Sequence, residues 1–242
     1  MKIAKPFWMS ETEVTNQQFE CFDPSHDTRY QNEDCKDHVS PGYISNHPLQ
    51  PVARVSWQES TRFCRWLSNR AKLNVQLPTE AQWEWAARAG SEKHFFFGDR
   101  NANWTNWANL ADAGLRWTFV NGWDGGSMIH ERMSYPEGQR YPLRDDRFTD
   151  KWFCVDYVKQ YAPNAFGLYD MIGNAAEWTR SDYRPYPYAD GDGRNAGNLN
   201  AKKVTRGGSW NNRPAVSGSS VRVPYEPWQK VYNVGFRVII ED

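Results

Sequence analysis

Large aromatic side chains dominate the apolar part of this sequence, and long aliphatic runs are missing. The chain has 242 residues, and its 13 Trp, 12 Tyr and 12 Phe make up 15% of them. Its apolar stretches, such as 152–155 and 238–240, are only a few residues long, whereas a membrane-spanning helix needs roughly 20. Each ring buries roughly 150–250 Å². The sequence therefore predicts a loop-rich fold with an aromatic core and no membrane span.

The charges of the chain are balanced. Lys and Arg together number 29, as do Asp and Glu, so the formal net charge is zero. This balance argues against binding of nucleic acid through a basic surface. The first seven residues lack the apolar segment of a signal peptide, which leaves the compartment undetermined.

Three capping boxes in the first 90 residues predict three helices. Thr or Ser stands three residues before Gln or Glu at 15–18, 56–59 and 79–82, and such pairs satisfy the first N–H groups of a helix reciprocally. We expect the second helix to run to about residue 72 and the third to end at Gly90.

After Gly98 the periodicity fades. Residues 98–200 contain only short strand-like pieces, such as 117–120, and a long irregular region of this kind is usually functional or held by something such as a metal ion. Regular patterning returns at 203–206 and 235–240, which we predict to pair as strands.

The four cysteines do not form a C-x-x-C motif, which argues against a zinc ribbon or a thioredoxin-type site. Cys64 and Cys154 lie among apolar residues and are interpreted as core residues. Cys21 and Cys35 flank a polar loop. They form a disulfide in an oxidising compartment or remain two free thiols, and the sequence leaves both open.

One stretch has the composition of a cation site. Asp170 and Glu177 supply carboxylates, and Ile172, Gly173 and Ala175 supply backbone carbonyls, which are the oxygen ligands that calcium prefers. The alternative is a helix-capping Asp and an ion-paired Glu.

The remaining chemical motifs are weak. The acidic stretch 190–195 lacks the final Glu of an EF-hand and is interpreted as a turn. The sequence contains no G-x-S-x-G, H-E-x-x-H, Walker or G-x-G-x-x-G motif.

Residues 209–232 mix rigid rings with adaptable polar groups, as recognition surfaces do. The alternative is an ordinary surface loop. The candidate ligand-binding residues are Trp210, Asn211, Asn212, Arg213, Ser217, Arg222, Tyr225, Trp228 and Tyr232.

Ordered motifs along nearly the whole chain resemble those of the formylglycine-generating enzyme family, also called sulfatase-modifying factors. They are E-V-T-N at 13–16, P-V-A-R-V-S-W at 51–57, L-P-T-E-A-Q-W-E-W-A-A-R at 77–88, N-A-F-G-L-Y-D-M at 164–171, G-N-A-A-E-W at 173–178, R-G-G-S-W at 206–210 and N-V-G-F-R at 233–237.

The resemblance implies an α+β fold of the C-type lectin-like type, spanning 1–242 as one domain with little regular secondary structure. It also implies two calcium sites. The second falls on the five residues named above, from Asp170 to Glu177. The first falls on Asn109, Leu110, Asp150 and Trp152.

The resemblance also identifies what this chain lacks. Active members oxidise a sulfatase cysteine to formylglycine with molecular oxygen and copper(I), which is held by two cysteines shortly after the G-G-S motif. Asn212 and Ser217 stand at the corresponding positions. Amide and hydroxyl groups are poor ligands for copper(I), so we expect no formylglycine-generating activity.

Active members also have a Gly- and Met-rich strand before the residues that match 3–9. Its absence indicates an excised domain, part of a fusion or a truncated member.

The sequence therefore predicts a calcium-stabilised module that binds a peptide, protein or glycan, as the variable proteins of diversity-generating retroelements do. The alternatives are an oxidoreductase with altered metal chemistry and a regulatory paralogue of a sulfatase-modifying enzyme. The oligomeric state stays open.

Overall fold

The computed structural model describes residues 3, 5–31, 43–112, 145, 147–152 and 154–241. Three α-helices lie in the first 90 residues, as predicted. Each begins at a capping box in which both reciprocal hydrogen bonds are present. The helices are α1 (Asn16–Glu20), α2 (Trp57–Ala71) and α3 (Glu80–Arg88).

The strands of the described residues form three small sheets. They are β1 (Phe7–Met9), β2 (Tyr30–Gln31), β3 (Tyr43–Ile44), β4 (Val75–Gln76), β5 (Ala176–Asp182), β6 (Lys203–Arg206), β7 (Val223–Tyr225), β8 (Val234–Gly235) and β9 (Ile239–Glu241). The sheet orders are β1-β9-β4, β2-β3 and β7-β6-β5-β8. All pairings are antiparallel except that of β5 with β8.

The predicted pairing of 203–206 with 235–240 is wrong. β5 lies between the two segments, and its Glu177 is in register with Arg206 on one side and with Gly235 on the other. Residues 239–241 join a different sheet, beside β1 and β4. β5 is hard to detect in the sequence because its buried positions are mostly polar, so the apolar alternation of a strand is missing.

Aromatic rings that pack against one another form much of the interior. Phe19, Phe63 and Phe236 lie with their centroids 5.4–6.1 Å apart, in a buried cluster that also contains Trp57 and Trp178. This arrangement fits the aromatic core that the composition predicts, and it places β5 and β8 against α1 and α2.

The cysteine predictions are confirmed where the structure describes them. Cys64 and Cys154 are buried free thiols, and burial raises the pKa of each to about 12. Cys21 is exposed. Its pairing with Cys35 and the strand-like piece 117–120 lie outside the described residues.

The acidic stretch at 190–195 forms a short 3₁₀ turn, Asp190–Asp192. Arg194 binds the Asp192 carboxylate at 2.7 Å, so the interpretation as an acidic turn holds. No helix in the described part of the chain has the length and apolarity to cross a membrane.

Candidate functional site

A tight turn before β5 joins the two segments that the sequence assigns to cations. Asp170, Gly173 and Asn174 all adopt positive φ values of 55–81°. A Cβ on Gly173 would lie 2.1 Å from the Asn109 carbonyl oxygen, so only glycine fits there. The Asn174 N–H donates to that same oxygen at 2.9 Å. The turn therefore packs directly on the Asn109 segment.

Glu177 is engaged by protein groups on both carboxylate oxygens. The Arg237 guanidinium donates to them at 2.7–2.9 Å, and the Trp83 indole N–H donates to Oε2 at 2.6 Å. Both members of this ion pair are fully buried. The ion-paired alternative for Glu177 is therefore the arrangement observed. The sequence reasoning missed Arg237, although an arginine beside an apolar strand in the G-F-R motif was a usable signal.

Asp170 has an unsatisfied carboxylate oxygen. Its Oδ2 accepts from the Lys159 N–H at 2.9 Å, whereas its buried Oδ1 has no hydrogen-bond partner. Burial is the main reason why the pKa of Asp170 rises to about 7, although Arg237 opposes the rise. Asp170 lies in the left-handed turn and caps no helix. An orphaned, buried carboxylate oxygen suits a hard cation, so Asp170 fits the second predicted site.

The four residues of the first predicted site also converge. The Asp150 carboxylate accepts from the Leu110 N–H at 3.3 Å and from the Trp152 N–H at 2.8 Å. Asn109 donates from its amide to the Cys154 carbonyl at 2.8 Å.

Asp112 is an addition to this first site that the sequence reasoning missed. Its Oδ2 accepts from the Asp150 N–H at 2.8 Å. Burial and then the charge of Asp112 raise the pKa of Asp150 to about 8.

Within the described ranges, no group of three or more His, Cys, Asp or Glu side chains is arranged to hold a metal ion. A cation at either site would therefore depend largely on backbone oxygens, with one or two carboxylates. This is the oxygen-rich coordination that calcium tolerates and that transition metals do not favour.

A polar pocket surrounds the two positions where the resemblance expects cysteines. The Ser209 hydroxyl donates to the Asn212 amide oxygen at 2.8 Å and accepts from the Asn233 amide at 2.7 Å. The Ser217 hydroxyl donates to the Arg213 carbonyl at 3.1 Å. We call Ser209, Asn212, Ser217 and Asn233 the Ser209 pocket. Ser209 and Asn233 were not predicted.

Neither buried cysteine replaces the missing thiols. Cys64 belongs to the aromatic core beside Phe63. Cys154 packs near Trp210, but its Sγ faces the Val155 carbonyl at 3.7 Å, and its raised pKa keeps it protonated at neutral pH.

The predicted ligand-binding residues near the Ser209 pocket form two groups, one buried and one half-buried. Trp210 and Ser217 are buried. Asn211 donates to the Tyr232 hydroxyl, and Asn212 and Arg213 are half-buried beside this pair.

The other predicted binding residues lie elsewhere. Arg222 binds the buried Glu80 carboxylate at 2.7 and 2.9 Å, and Tyr225 packs edge-on against Trp178. Trp228 is 65% exposed. The described surface of this segment is therefore anchored by Arg222 and Tyr225 and offers Trp228 as its most exposed ring.

The whole chain matches the family model described as "Sulfatase-modifying factor enzyme 1-like domain", over residues 1–242. The buried Glu177–Arg237 pair and the glycine turn lie within the motifs that suggested this family. The chain belongs to the sulfatase-modifying factor family, with its formylglycine-generating-enzyme-type fold.

Known proteins resemble the chain in sequence and in fold. It is 32% identical to a formylglycine-generating enzyme of Streptomyces coelicolor over 203 residues, covering 80% of this chain and 54% of that protein. It is 31% identical to the inactive Cα-formylglycine-generating enzyme 2 of Bos taurus over 209 residues, covering 82% and 52%. The chain thus spans about half the length of these relatives.

Among solved structures, variable protein 1 of Treponema denticola matches with a TM-score of 0.67 at 21% identity. The match covers 98% of this chain and 84% of that one. At this level of identity the likeness concerns the fold.

Proposed function

We propose that the chain is a non-catalytic member of its family: a calcium-stabilised module that binds a peptide, protein or glycan through residues 210–232. The observation that carries this proposal is the pair Asn212 and Ser217, at the positions where active members are expected to hold copper(I) through cysteines. The proposal has three parts, which concern the pocket, the calcium sites and the binding face.

The pocket supports a loss of copper chemistry. Copper(I) is a soft cation that selects thiolate ligands, and Asn212 and Ser217 offer an amide oxygen and a hydroxyl. Both groups already have hydrogen-bond partners within the protein. Binding a soft metal here would break those bonds without providing sulfur in return.

Calcium would serve this chain as a structural ion. Asp170 at the second site and Asp150 at the first would bind it through their carboxylates, with backbone carbonyls of the adjoining turns completing each site. The bound ion would supply positive charge beside buried carboxylates. Gly173 and Asn109 already hold the two segments in contact without the ion. A stiffened segment lowers the ordering cost of binding a partner.

The binding face would centre on Trp228, with Asn211, Arg213 and Tyr232 at the end that adjoins the Ser209 pocket. Exposed tryptophan and arginine side chains carry much of the energy in recognition surfaces. Trp210 and Ser217, which are buried, would support this face from below.

One finding favours a second candidate, a regulatory paralogue that binds sulfatase-type peptides without oxidising them. A relative at 31% identity bears the name of an inactive formylglycine-generating enzyme. Such a paralogue would retain affinity for the peptide that active members modify.

An aldehyde assay tests the central part of the proposal. The purified chain is incubated with copper(I), dioxygen and a Cys-x-Pro-x-Arg peptide, and the product is analysed by mass spectrometry. We expect no conversion of cysteine to formylglycine; conversion would overturn the proposal. Fluorescence anisotropy with the same labelled peptide then tests the second candidate, which requires affinity for this peptide, whereas the first candidate does not.

A further inference from the structure

We propose that His94 is an acid-sensitive latch on residues 213–219, which we call the Pro214 loop. The neutral imidazole holds this loop in place, and protonation of the imidazole releases it. The inference goes beyond the proposed function, which gives His94 no role. It bears on that function because the loop carries Arg213, at the proposed binding face, and Ser217, in the Ser209 pocket.

His94 contacts the Pro214 loop at both of its ends. Its ring nitrogen Nε2 lies 3.2 Å from the Pro214 carbonyl oxygen. Because a carbonyl oxygen only accepts hydrogen bonds, Nε2 carries the proton of the neutral ring. At the other end of the loop, the Ser219 N–H donates to the His94 carbonyl at 3.0 Å. One residue therefore spans the loop, with its side chain at the start and its backbone at the end.

The half-buried ring of His94 lies directly on Gly218. A Cβ at Gly218 would come within 2.3–2.7 Å of three ring atoms, so the imidazole occupies the space that any other residue would need for its side chain. The preceding residue, Ser217, packs as closely on Gly208, where a Cβ would lie 2.4 Å from the Ser217 hydroxyl oxygen. A displaced imidazole would therefore remove one of the two close contacts that hold the loop.

Positive charge surrounds the ring on the side of its own turn. The Arg88 guanidinium donates to the Lys93 carbonyl at 3.2 Å, next to His94 in the chain, and is paired with Glu84 at 2.8 Å. Arg100 is exposed at the end of the same turn and has no carboxylate partner among the described residues. A protonated His94 would therefore add a further positive charge beside two arginines.

The Pro214 loop supplies no negative charge to compensate a protonated imidazole. Residues 213–222 contain two arginines and no Asp or Glu. Two carboxylates of α3, Glu80 and Glu84, are already bound to Arg222 and Arg206. The loop and the elements that flank it therefore offer the imidazolium a carbonyl oxygen and no free carboxylate.

These surroundings favour the neutral imidazole. Burial lowers the pKa of His94, and Arg100 and Arg88 add to this effect, whereas the Pro214 carbonyl and Asp99 oppose it. A histidine whose pKa is lower in the folded state than in the unfolded state binds fewer protons when folded. The contacts of His94 therefore stabilise the loop fully above the ordinary pKa of histidine, about 6.5, and this stabilisation is lost as the pH falls from there through the lowered pKa.

Hydrogen–deuterium exchange of the whole chain, measured by NMR, tests the latch without any ligand. The reporters are the N–H groups of Val216, Ser217 and Ser219, which donate to carbonyls at the start of the loop and to that of His94. Each exchange rate is divided by that of an unstructured peptide at the same pH, which removes the intrinsic effect of pH. We expect the protection of these amides to fall at least about threefold between about pH 7.5 and about pH 5.

Three variants separate the latch from general acid effects. His94→Gln keeps an N–H for the Pro214 carbonyl but takes up no proton, so its loop should stay protected at both pH values. Arg100→Gln leaves the ring contacts intact and removes a positive charge, so it should raise the pKa of His94 and reduce the fall in protection. The matched control is His26→Gln. Burial lowers the pKa of His26 too, but its ring contacts the Ala53 carbonyl at 2.9 Å, and the fall should be unchanged.

Three results would each overturn the inference. They are a loop that keeps its protection at about pH 5 in the unaltered chain, an equal fall in His94→Gln, and an NMR titration in which the His94 ring has the ordinary pKa of histidine or a higher one. If His94→Gln did not fold, Arg100→Gln would decide the question, because an undiminished fall there contradicts the latch. These measurements involve no copper, calcium or partner, so the latch and the proposed function fail separately.

Discussion

Two largely buried polar regions of the chain differ in charge. One is the Ser209 pocket, and the other, which we call the Arg237 cluster, consists of Glu13, Asp170, Glu177 and Arg237. The cluster holds three carboxylates against one arginine and leaves three carboxylate oxygens without partners. The pocket is uncharged, and its hydroxyls bond to neighbouring amides and carbonyls, although the Asn233 amide oxygen has no partner. Buried carboxylate oxygens without partners favour a hard cation, whereas uncharged amides and hydroxyls with partners do not. The charged cluster therefore supports the proposed calcium site, and the uncharged pocket supports the proposed loss of copper chemistry.

Removing Arg237, the positively charged side chain of the Arg237 cluster, should have the largest effect on stability. Arg237→Met leaves three buried carboxylates uncompensated and should lower the free energy of unfolding by about 3–5 kcal/mol. Urea denaturation in EDTA measures it. The control Arg62→Met removes a largely exposed arginine 3.8 Å from Glu59 and should cost about 0–1 kcal/mol. Equal losses in the two variants would show that the cluster is not strained by charge.

Removing calcium should have the next largest effect. At a calcium concentration 100 times the dissociation constant, binding stabilises the folded state by about 2.7 kcal/mol. We expect EDTA to lower the melting temperature and calcium to restore it, as measured by differential scanning calorimetry. A melting temperature indifferent to both would contradict the calcium sites.

The Ser209 pocket should respond to the loss of a hydrogen bond but not to metal. Asn233→Ala removes the donor to the buried Ser209 hydroxyl and should cost about 1–3 kcal/mol. The loss should be the same in calcium and in EDTA, as chemical denaturation will show. A loss that appeared only in calcium would mean that the pocket and the cation sites are coupled.

The smallest expected effect concerns Cys64 and Cys154, which should not react with an alkylating reagent. Burial raises the pKa of Cys64 and Cys154 to about 12, so almost no thiolate is present at pH 8. Iodoacetamide should leave both unmodified in the native protein, whereas peptide mapping should find exposed Cys21 alkylated. Rapid labelling of Cys154 would place a reactive thiol near Trp210 and reopen the question of copper.

Local sequence patterns predicted the helices because capping boxes act within four residues, as at Ser56 and Glu59. They did not predict β5 or the partners of Glu177. The Arg237–Glu177 pair joins residues 60 positions apart, a separation that no local pattern covers. The assignment of Asp170 as a cation ligand stays a prediction, and the arginine of the G-F-R motif was a signal in the sequence that Glu177 is ion-paired.

A titration with copper(I) tests the central claim most directly. In a background of Cys21→Ser and Cys35→Ser, the chain is compared with its Asn212→Cys, Ser217→Cys variant, using a chromophoric copper(I) chelator as competitor. We predict that the unaltered pocket binds no stoichiometric copper(I) and that the double variant gains one equivalent. One tightly bound copper(I) in the unaltered pocket would contradict a non-catalytic, thiol-free site.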